Sequence, residues 1–517
     1  MNKKFLRKWE KWYILAAFSV LGISQCMTWM TYGTFPESTY GYYNIGTSEL
    51  DLLLNWGPII YVFAAIPVMA LISSPRGLRN SMRVGVILVL LANISRCIPT
   101  FFIRVGKSHY VDGSSSSDVL SSEVVNVNEY EGNMNNKSLH IFAMIFVHLG
   151  QILNAVAGPI TMSPAALLSH IWFEEDLRAT ATTGAWIATC LGIAVTYFLG
   201  PALAPTPSKV PIFLWFSTAF SVIGFVMVFL HFPQKPSYKK CRLTTEYRDY
   251  DDDEEGEVNI NKPLIDPGVD SSTSSSESGK TEEISGSDNN NEYNESAKQI
   301  LIDCLKGVKD TLSLRDGLIT FLIGGFQMGM MSGWNSVLPQ VISGLGNNQQ
   351  TAGLVSFVCS CMGMVGCFIT GKVTDLKQMR KRHKQITIIA IIVAIVFICS
   401  SLFFVPMPGK TKPLVVAPVY VVGVFLSGFA LFVGGMTPLF YEMVAEISFP
   451  VNEGISSGLI ALLGNLITVF FLFVAPLMNS TIFIMVLAAA HVIVVVAVSF
   501  IRVTYKRQQS DLENDIN

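Results

Sequence analysis

The chain has 517 residues, of which half are apolar and only 14% are charged, and its formal net charge is −2. Soluble globular proteins carry about 25% charged residues. Apolar runs of roughly 20 residues, the length that lets a helix cross a bilayer, recur along most of the chain. This composition predicts a multi-pass membrane protein and excludes a cytosolic enzyme, a secreted disulfide scaffold and a nucleic-acid-binding protein.

Twelve apolar segments follow one another along the chain. Their approximate bounds are 13–33, 52–73, 82–102, 139–160, 183–203, 210–231, 317–341, 351–371, 385–405, 414–436, 455–476 and 481–503. Lys and Arg are concentrated in the termini and in alternate short loops, which the positive-inside rule places in the cytosol. We therefore expect an all-α fold of two six-helix halves, at 13–233 and 311–503, with cytosolic tails at 1–12 and 504–517.

The segment 234–310 separates the two halves on the cytosolic side. Its central part, 246–295, contains 16 acidic and 3 basic residues and few large apolar ones. Such a composition buries too little surface to offset the entropy of ordering. We predict a disordered linker, and a sorting or signalling surface for a partner is the alternative.

The two halves begin with a similar pattern. Residues 25–32 read QCMTWMTY and residues 327–334 read QMGMMSGW, so that an aromatic residue follows a Gln by seven positions in each. Six helices plus six with weak internal similarity are typical of secondary transporters of the major facilitator type. This organisation predicts alternating access to a site lined by the first, fourth, seventh and tenth spans.

Polar side chains inside predicted spans are costly and therefore indicate candidate site residues. On the first span, Gln25, Trp29 and Tyr32 share one face that offers a stacking ring and hydrogen bonds, although an aromatic belt is the alternative. The fourth and seventh spans carry similar groups. The candidate substrate-binding residues are Gln25, Trp29, Tyr32, Gln151, Asn154, Gln327, Trp334 and Asn335.

His148, Arg96 and His491 lie inside spans, away from the first and last residues of each span. His148 is near the middle of the fourth span and is the candidate for proton coupling, since imidazole titrates near physiological pH; a hydrogen bond to a neighbouring helix is the alternative. Arg96 is close enough to the outer end of the third span to extend to the membrane surface. His491 has no polar companion on the twelfth span, so we interpret it as a packing residue.

Charged residues at the cytosolic ends suggest a gate. Glu442 and Glu446 lie beyond the hydrocarbon core if the tenth span begins near residue 414. These two glutamates would form ion pairs with Arg76, Arg79 and Arg178 and so close the cytosolic side. The alternative is that they are ordinary solvated charges.

Several strings resemble solute carrier family 49, which includes the feline leukemia virus subgroup C receptors. They are LNWGPI (54–59), PRGLR (75–79), SRCIP (95–99), HLGQILNAVAGP (148–159), SGWNSVL (332–338) and EMVAEISFPVNEG (442–454). They span both halves and are most similar to the fourth branch of the family. The resemblance implies a proton-coupled symporter in the lysosomal membrane that exports pyridoxine (vitamin B6) to the cytosol.

Other branches of this family move choline and ethanolamine or have been linked to haem. Trp29 and Tyr32 match the W-x-x-Y of the choline-carrying branch, but Cys190 stands where that branch has a Gln. The loop motif of the superfamily adds Gly77 and Asp375 to the candidate gate, with Ser74 in place of the usual Asp in the first half. Leu264-Ile265 resembles an acidic dileucine sorting signal, with a wider spacing.

The alternatives to pyridoxine transport are an amine transporter of the choline type and a nutrient-sensing receptor that does not transport. We expect a monomer in the bilayer with a small-molecule substrate and protons as partners, and without a cofactor, a metal or a nucleic acid. An enzyme is the weakest interpretation, because no nucleophile and base converge in the sequence.

Overall fold

The computed structural model describes residues 3–73, 77–104, 136–162, 165–173, 175–233, 302, 306–376, 379, 381–408, 410, 412–449, 451 and 453–506. The predicted disordered segment 246–295 and residues 105–135 of the long outer loop lie outside these ranges. The same holds for the proposed sorting signal at Leu264-Ile265.

The described part of the N-terminal half contains eight α-helices. They are α1 (Lys3–Thr34), α2 (Pro36–Tyr43), α3 (Thr47–Ser73), α4 (Gly77–Cys97), α5 (Lys137–Met162), α6 (Ala165–Trp172), α7 (Glu175–Leu203) and α8 (Val210–Leu230). The short helices α2 and α6 were not predicted, because eight residues are too few to show a periodic apolar pattern.

The C-terminal half contributes seven longer α-helices. They are α9 (Arg315–Ser343), α10 (Gln349–Asp375), α11 (His383–Ser401), α12 (Val419–Gly434), α13 (Met436–Ser448), α14 (Glu453–Val474) and α15 (Ser480–Ser499). Helices α12 and α13 form a single candidate span, Val419–Ser448.

Ten stretches of the described helices are long and apolar enough to cross a membrane. Helix α9 and helix α14, whose apolar part runs from Gly458 to Val474, bring the arrangement to six spans in each half. The predicted all-α fold of twelve transmembrane helices is confirmed. We call the end of the bundle that contains α2 the outer end, following the orientation that the positive charges predict.

The first helix is longer than the sequence analysis predicted. A tail was expected at 1–12, whereas α1 begins at Lys3. The ring centroids of Trp12 and Phe173 are 5.2 Å apart, and the Lys11 ammonium lies 5.7 Å from the Phe173 ring. This amphipathic turn is therefore held against the residue that follows α6.

Each half has its own apolar core. The C-terminal half has one large cluster, which includes Trp334, Phe429 and Phe483, whereas the N-terminal half has separate cytosolic and outer clusters. The halves meet along two pairs of helices, α7 with α10 and α3 with α14. Helices α1 and α9 also approach each other between these pairs.

Candidate functional site

Polar contacts join the two halves at their outer ends. Gln349, at the start of α10, places its Nε2 atom 2.8 Å from Ser38 Oγ and 3.0 Å from the Pro205 carbonyl oxygen. The Tyr197 hydroxyl donates to the Asn335 carbonyl. Gln340 Nε2 lies 3.5 Å from Asp51 Oδ1. We call these residues the outer gate: Ser38, Asp51, Tyr197, Asn335, Gln340 and Gln349.

The helix backbones also approach closely at this level. A Cβ atom on Gly33 of α1 would lie 3.3 Å from the Ser336 carbonyl oxygen of α9, and one on Gly353 would lie 2.5 Å from the Tyr197 carbonyl oxygen. Glycine is needed at Gly353, where the two backbones leave no room for a Cβ atom. The boundary between the halves is therefore closed at the outer end in this conformation.

An apolar cluster spans the same boundary further toward the cytosolic end. This inner cluster consists of Tyr61, Ala65, Met162, Met328 and Ala461, which come from four different helices of both halves. The Tyr441 hydroxyl donates to the Met328 sulfur at 3.3 Å. The segment of the boundary between the outer gate and the inner cluster is where the predicted site would lie.

Trp29 lies at this level on α1. It is one helical turn from Gly33, on the face that approaches α9, and it is partly exposed. Its Nε1 atom donates to the Leu54 carbonyl at 2.9 Å, and a Cβ atom on Gly57 would lie only 2.5 Å from this nitrogen. Helix α3 therefore fixes the orientation of the indole ring.

Asn55 lies next to this contact, and the sequence analysis did not select it. The side chain is fully buried, and neither Nδ2 nor Oδ1 has a hydrogen-bond partner among the described residues. Asn55 is one helical turn from Asp51, which faces α9, and follows Leu54, which packs in the core cluster of the C-terminal half. Since buried amides are almost always paired, the unpaired Asn55 is a candidate ligand-binding residue.

Gln25, Gln151 and Asn154 connect helices within the N-terminal half. Asn154 Nδ2 donates to the Gln25 carbonyl at 3.1 Å, and Gln151 Nε2 donates to the Leu53 carbonyl at 3.2 Å. Thr161 Oγ1 donates to Gln25 Oε1 at 3.4 Å. The side-chain oxygens of Gln151 and Asn154 have no partner in the described part of the chain, so these two residues keep one acceptor each.

Tyr32 is not on the boundary between the halves. It is fully buried in the outer cluster of the N-terminal half, and the Arg96 guanidinium lies 5.6 Å from its ring. Helical spacing places Tyr32 near Trp29, but the neighbouring helices separate their environments. Tyr32 therefore lies in the interior of its own half and not on the predicted binding face.

Arg96 does not extend to the membrane surface, so that prediction is wrong. The residue is fully buried and donates to the Thr28 carbonyl at 2.9 Å and to Asn93 Oδ1 at 2.6 Å. It also lies within reach of Thr31 and Ser217. Because these oxygens replace water around the guanidinium, the side chain stays inside the bundle.

Gln327 and Trp334 lie inside the C-terminal half. Gln327 Nε2 is 3.1 Å from His491 Nε2, and His491 Nδ1 is 2.8 Å from the Leu487 carbonyl oxygen. Trp334 packs against Phe429 and Phe483. The polar companion of His491 comes from α9 and not from its own span, a pairing that no sequence spacing indicates. Both predicted ligands face neighbouring helices of their own half.

His148 lies on another side of α5. The Trp56 indole Nε1 donates to His148 Nδ1 at 2.8 Å, and an indole N–H can only donate, so Nδ1 is unprotonated here. His148 lines a cavity of about 530 Å³ together with Glu49, His140 and apolar residues of α5. This cavity lies on the α3–α5 side of the N-terminal half.

The Major Facilitator Superfamily model matches residues 138–471, which is more than half of the chain. The chain belongs to the Major Facilitator Superfamily. A relative, "Solute carrier family 49 member 4 homolog" of Xenopus tropicalis, is 24% identical to this transporter over 473 residues, covering 88% of this chain and 83% of that protein.

A second relative of the transporter is named "Choline/ethanolamine transporter FLVCR2", from Rattus norvegicus. It is 20% identical over 459 residues, which cover 87% of this chain and 66% of that protein. The solved structure of the xylose transporter XylE from E. coli matches with a TM-score of 0.58 at 12% identity, covering 95% of this chain and 98% of that chain. The resemblance to solute carrier family 49 is confirmed, and the structural match supports the fold.

The predicted cytosolic gate of the transporter is only partly described. Arg76 and the side chains of Arg178 and Asp375 lie outside the described part. A Cβ atom on Gly77 would lie 1.9 Å from the Ile72 carbonyl oxygen, so the close approach of the start of α4 to the end of α3 requires glycine. Arg79 Nε is buried and has no hydrogen-bond partner among the described residues.

The two gate glutamates lie in different environments. Glu442 is exposed, whereas Glu446, one turn further along α13, is fully buried. From the observed start of this span at Val419, both lie about 35–40 Å along the helix, beyond a hydrocarbon core of roughly 30 Å. The ion pairs proposed for the cytosolic gate stay a prediction.

Proposed function

We propose that this transporter carries pyridoxine together with protons, from the lysosomal lumen to the cytosol, by alternating access of its two halves. One observation supports this proposal most directly: Asn55, a buried amide without a hydrogen-bond partner among the described residues, directly follows Leu54, whose carbonyl accepts from the Trp29 indole. An aromatic solute that carries hydroxyl groups has the chemistry to use both.

The ring of pyridoxine would stack on Trp29, and its hydroxyl groups would bond to polar side chains around it. Asn55 offers a donor and an acceptor, and Asn335 is partly exposed on the opposite helix. Gln151 and Asn154 each keep an unpaired oxygen for a hydroxyl donor. Aromatic stacking contributes about 0.5–1.5 kcal/mol beyond the burial of area.

The remaining predicted ligands have supporting roles in this proposal. Gln25 holds α5 against α1 through Thr161 and Asn154, which orients the helix that carries Trp29. Tyr32, Gln327 and Trp334 stiffen the individual halves, since each is buried among helices of its own half. His148 remains the candidate proton carrier that the sequence indicates.

Uptake into proteoliposomes tests this function. Labelled pyridoxine is supplied outside at acidic pH, with neutral pH inside, and again with neutral pH on both sides. We expect faster uptake with the gradient; equal uptake would contradict proton coupling, and no uptake above protein-free vesicles would contradict the substrate. Trp29→Ala should lose uptake, while Trp215→Ala, which removes an exposed indole from α8, should retain it.

A choline-type amine is the second candidate, because Trp29 and Tyr32 resemble the W-x-x-Y of the choline-carrying branch, and a relative of this chain is named a choline/ethanolamine transporter. A quaternary ammonium group is recognised by aromatic faces. The Tyr32 ring already faces the Arg96 guanidinium, which leaves Trp29 as the ring of this pattern at the boundary. Choline that competes for the site while pyridoxine does not would favour this candidate.

The proposed lysosomal location and the sensing alternative both depend on the linker. Replacement of Leu264 and Ile265 by Ala should move the protein from lysosomes to the plasma membrane. Deletion of 246–295 should leave uptake unchanged if the protein acts as a transporter, whereas loss of a nutrient signal with intact flux would support a receptor.

A further inference from the structure

The outer gate contains an acidic residue that the predicted transport mechanism does not use. Asp51 is 6% exposed, and its Oδ1 atom lies 3.5 Å from Gln340 Nε2 of the other half. An amide supplies a dipole but no charge. No Lys or Arg of the described part forms an ion pair with Asp51. The closed outer gate therefore covers a carboxyl group without neutralising it.

The titratable groups around Asp51 do not compensate its charge. Tyr40 of α2 is near, and burial, Asp51 and Glu37 all raise the pKa of the Tyr40 phenol, which stays neutral. Glu37 itself is acidic, and burial raises the pKa of its carboxyl. Glu49, on α3, directs its carboxylate to the Gly46 N–H at 2.6 Å. The neighbourhood of Asp51 is neutral or acidic.

The cost of covering an acid in such a place depends on its protonation. An ionised carboxylate loses its hydration on burial and needs a charge or several hydrogen bonds in return, whereas a neutral carboxyl does not. When the halves separate at the outer end, Gln340 moves away from Asp51 and water can reach the acid. Closure of the outer gate therefore favours the protonated form of Asp51.

We propose that Asp51 is the residue whose protonation from the outer compartment permits the outer gate to close, with Gln340 as its partner. A proton bound in the outward-open state stays on Asp51 while the outer gate is closed and returns to the outer compartment when the gate reopens, so Asp51 acts as a pH switch for closure. This inference goes beyond the proposed function: it makes closure of the outer gate depend on the pH of the outer compartment, whichever solute is carried.

The geometry favours this position over His148 for coupling to closure. Asp51 contacts the opposite half directly, and its cover is removed when the halves part. The contact described for His148 is with Trp56 of the same half, and the cavity that it lines is formed by residues of that half. Protonation of His148 therefore has no direct contact through which to bias the outer gate.

A distance measurement without any solute tests the inference. Spin labels are placed on Lys209→Cys and Gln350→Cys, two exposed outer positions in different halves, in a background without reactive native cysteines. The full chain in lipid nanodiscs is titrated from about pH 8 to pH 4.5, a range that includes the titration of carboxyl groups. We expect the closed population to increase at least tenfold on acidification.

Two variants and one control decide the outcome. Asp51→Asn, which resembles the protonated acid, should stay closed at every pH. Gln340→Lys should reverse the direction of the pH dependence, because its ammonium pairs with the ionised carboxylate and loses that partner in acid. Ser208→Ala, an exposed change at the outer end, should behave as the parent does.

The inference is overturned if the parent distances do not change with pH, or if Asp51→Asn keeps the parent's pH dependence. If Asp51→Asn does not fold, the inference is also overturned by a Gln340→Lys variant whose pH dependence has the same direction as that of the parent. Failure of pyridoxine uptake combined with a pH-dependent gate that Asp51→Asn abolishes would remove the proposed substrate and leave this role of Asp51 intact.

Discussion

Gln349 Nε2 donates to Ser38 Oγ at 2.8 Å, although the two residues are 311 positions apart and belong to opposite halves. The same nitrogen lies 3.2 Å and 3.0 Å from the Ala204 and Pro205 carbonyl oxygens. One side chain thus connects the start of α10 to α2 and to the end of α7. Separation of the halves at the outer end requires these bonds to break.

Gln349→Ala should therefore shift the equilibrium toward the outward-open state. Hydrogen bonds of this kind contribute about 0.5–1.5 kcal/mol each, so loss of two would change the ratio of states by roughly 30-fold. The distance between labels at Lys209 and Gln350 measures the shift. Ser208→Ala, an exposed change in the same outer region, is the control and should leave the distance distribution unaltered.

Asn55→Leu should separate stability from binding. Replacement of an unpaired buried amide by an apolar side chain of similar size removes a desolvation cost of about 1–3 kcal/mol, so the solute-free protein should unfold at a higher temperature. The shift in unfolding temperature that pyridoxine produces should disappear. A variant that is less stable than the parent, or that still responds to pyridoxine, would contradict the proposed role of Asn55.

Gly57→Ala should weaken binding without removing any polar group. The added Cβ atom would lie 2.5 Å from Trp29 Nε1 and must displace the indole ring. We expect at least a tenfold lower apparent affinity for pyridoxine, which corresponds to about 1.4 kcal/mol. Gly184→Ala is the matched control, because its Cβ atom would approach no closer than 3.9 Å to Leu15.

Arg96→Ala should destabilise the N-terminal half. The change removes the hydrogen bonds to Thr28 and Asn93 and leaves buried acceptors with fewer donors, at a cost of about 2–4 kcal/mol. Thermal unfolding in detergent measures this loss, and Lys209→Ala at an exposed position should show none. Unchanged stability in Arg96→Ala would mean that water replaces the guanidinium in the cluster.

Gly150→Ala offers an independent check of the same cluster. Its Cβ atom would lie 2.5 Å from Arg96 Cγ and 2.8 Å from the Ala92 carbonyl oxygen, so α4 and α5 must separate to accommodate it. We expect a loss of stability of about 1–3 kcal/mol, which is typical of overpacking in a closely packed interior. The same unfolding measurement applies, with Gly184→Ala as the control.

The sequence by itself determined the fold class, because only a few kinds of backbone structure are stable inside a lipid bilayer. Apolar runs of about 20 residues must become helices that satisfy their own backbone hydrogen bonds, and positive charges orient them. The confirmed fold and the confirmed resemblance to solute carrier family 49 follow from such local features. Neither required knowledge of which helices are neighbours.

Only the tertiary structure decided which polar side chains face the boundary between the halves. Trp29 and Tyr32 are three positions apart on α1, yet one lies beside α3 at the boundary and the other beside Arg96. Gln327 contacts His491, which is 164 positions away in the sequence, inside the C-terminal half. Helical periodicity shows which residues share a face, but the partner of that face depends on contacts between distant segments.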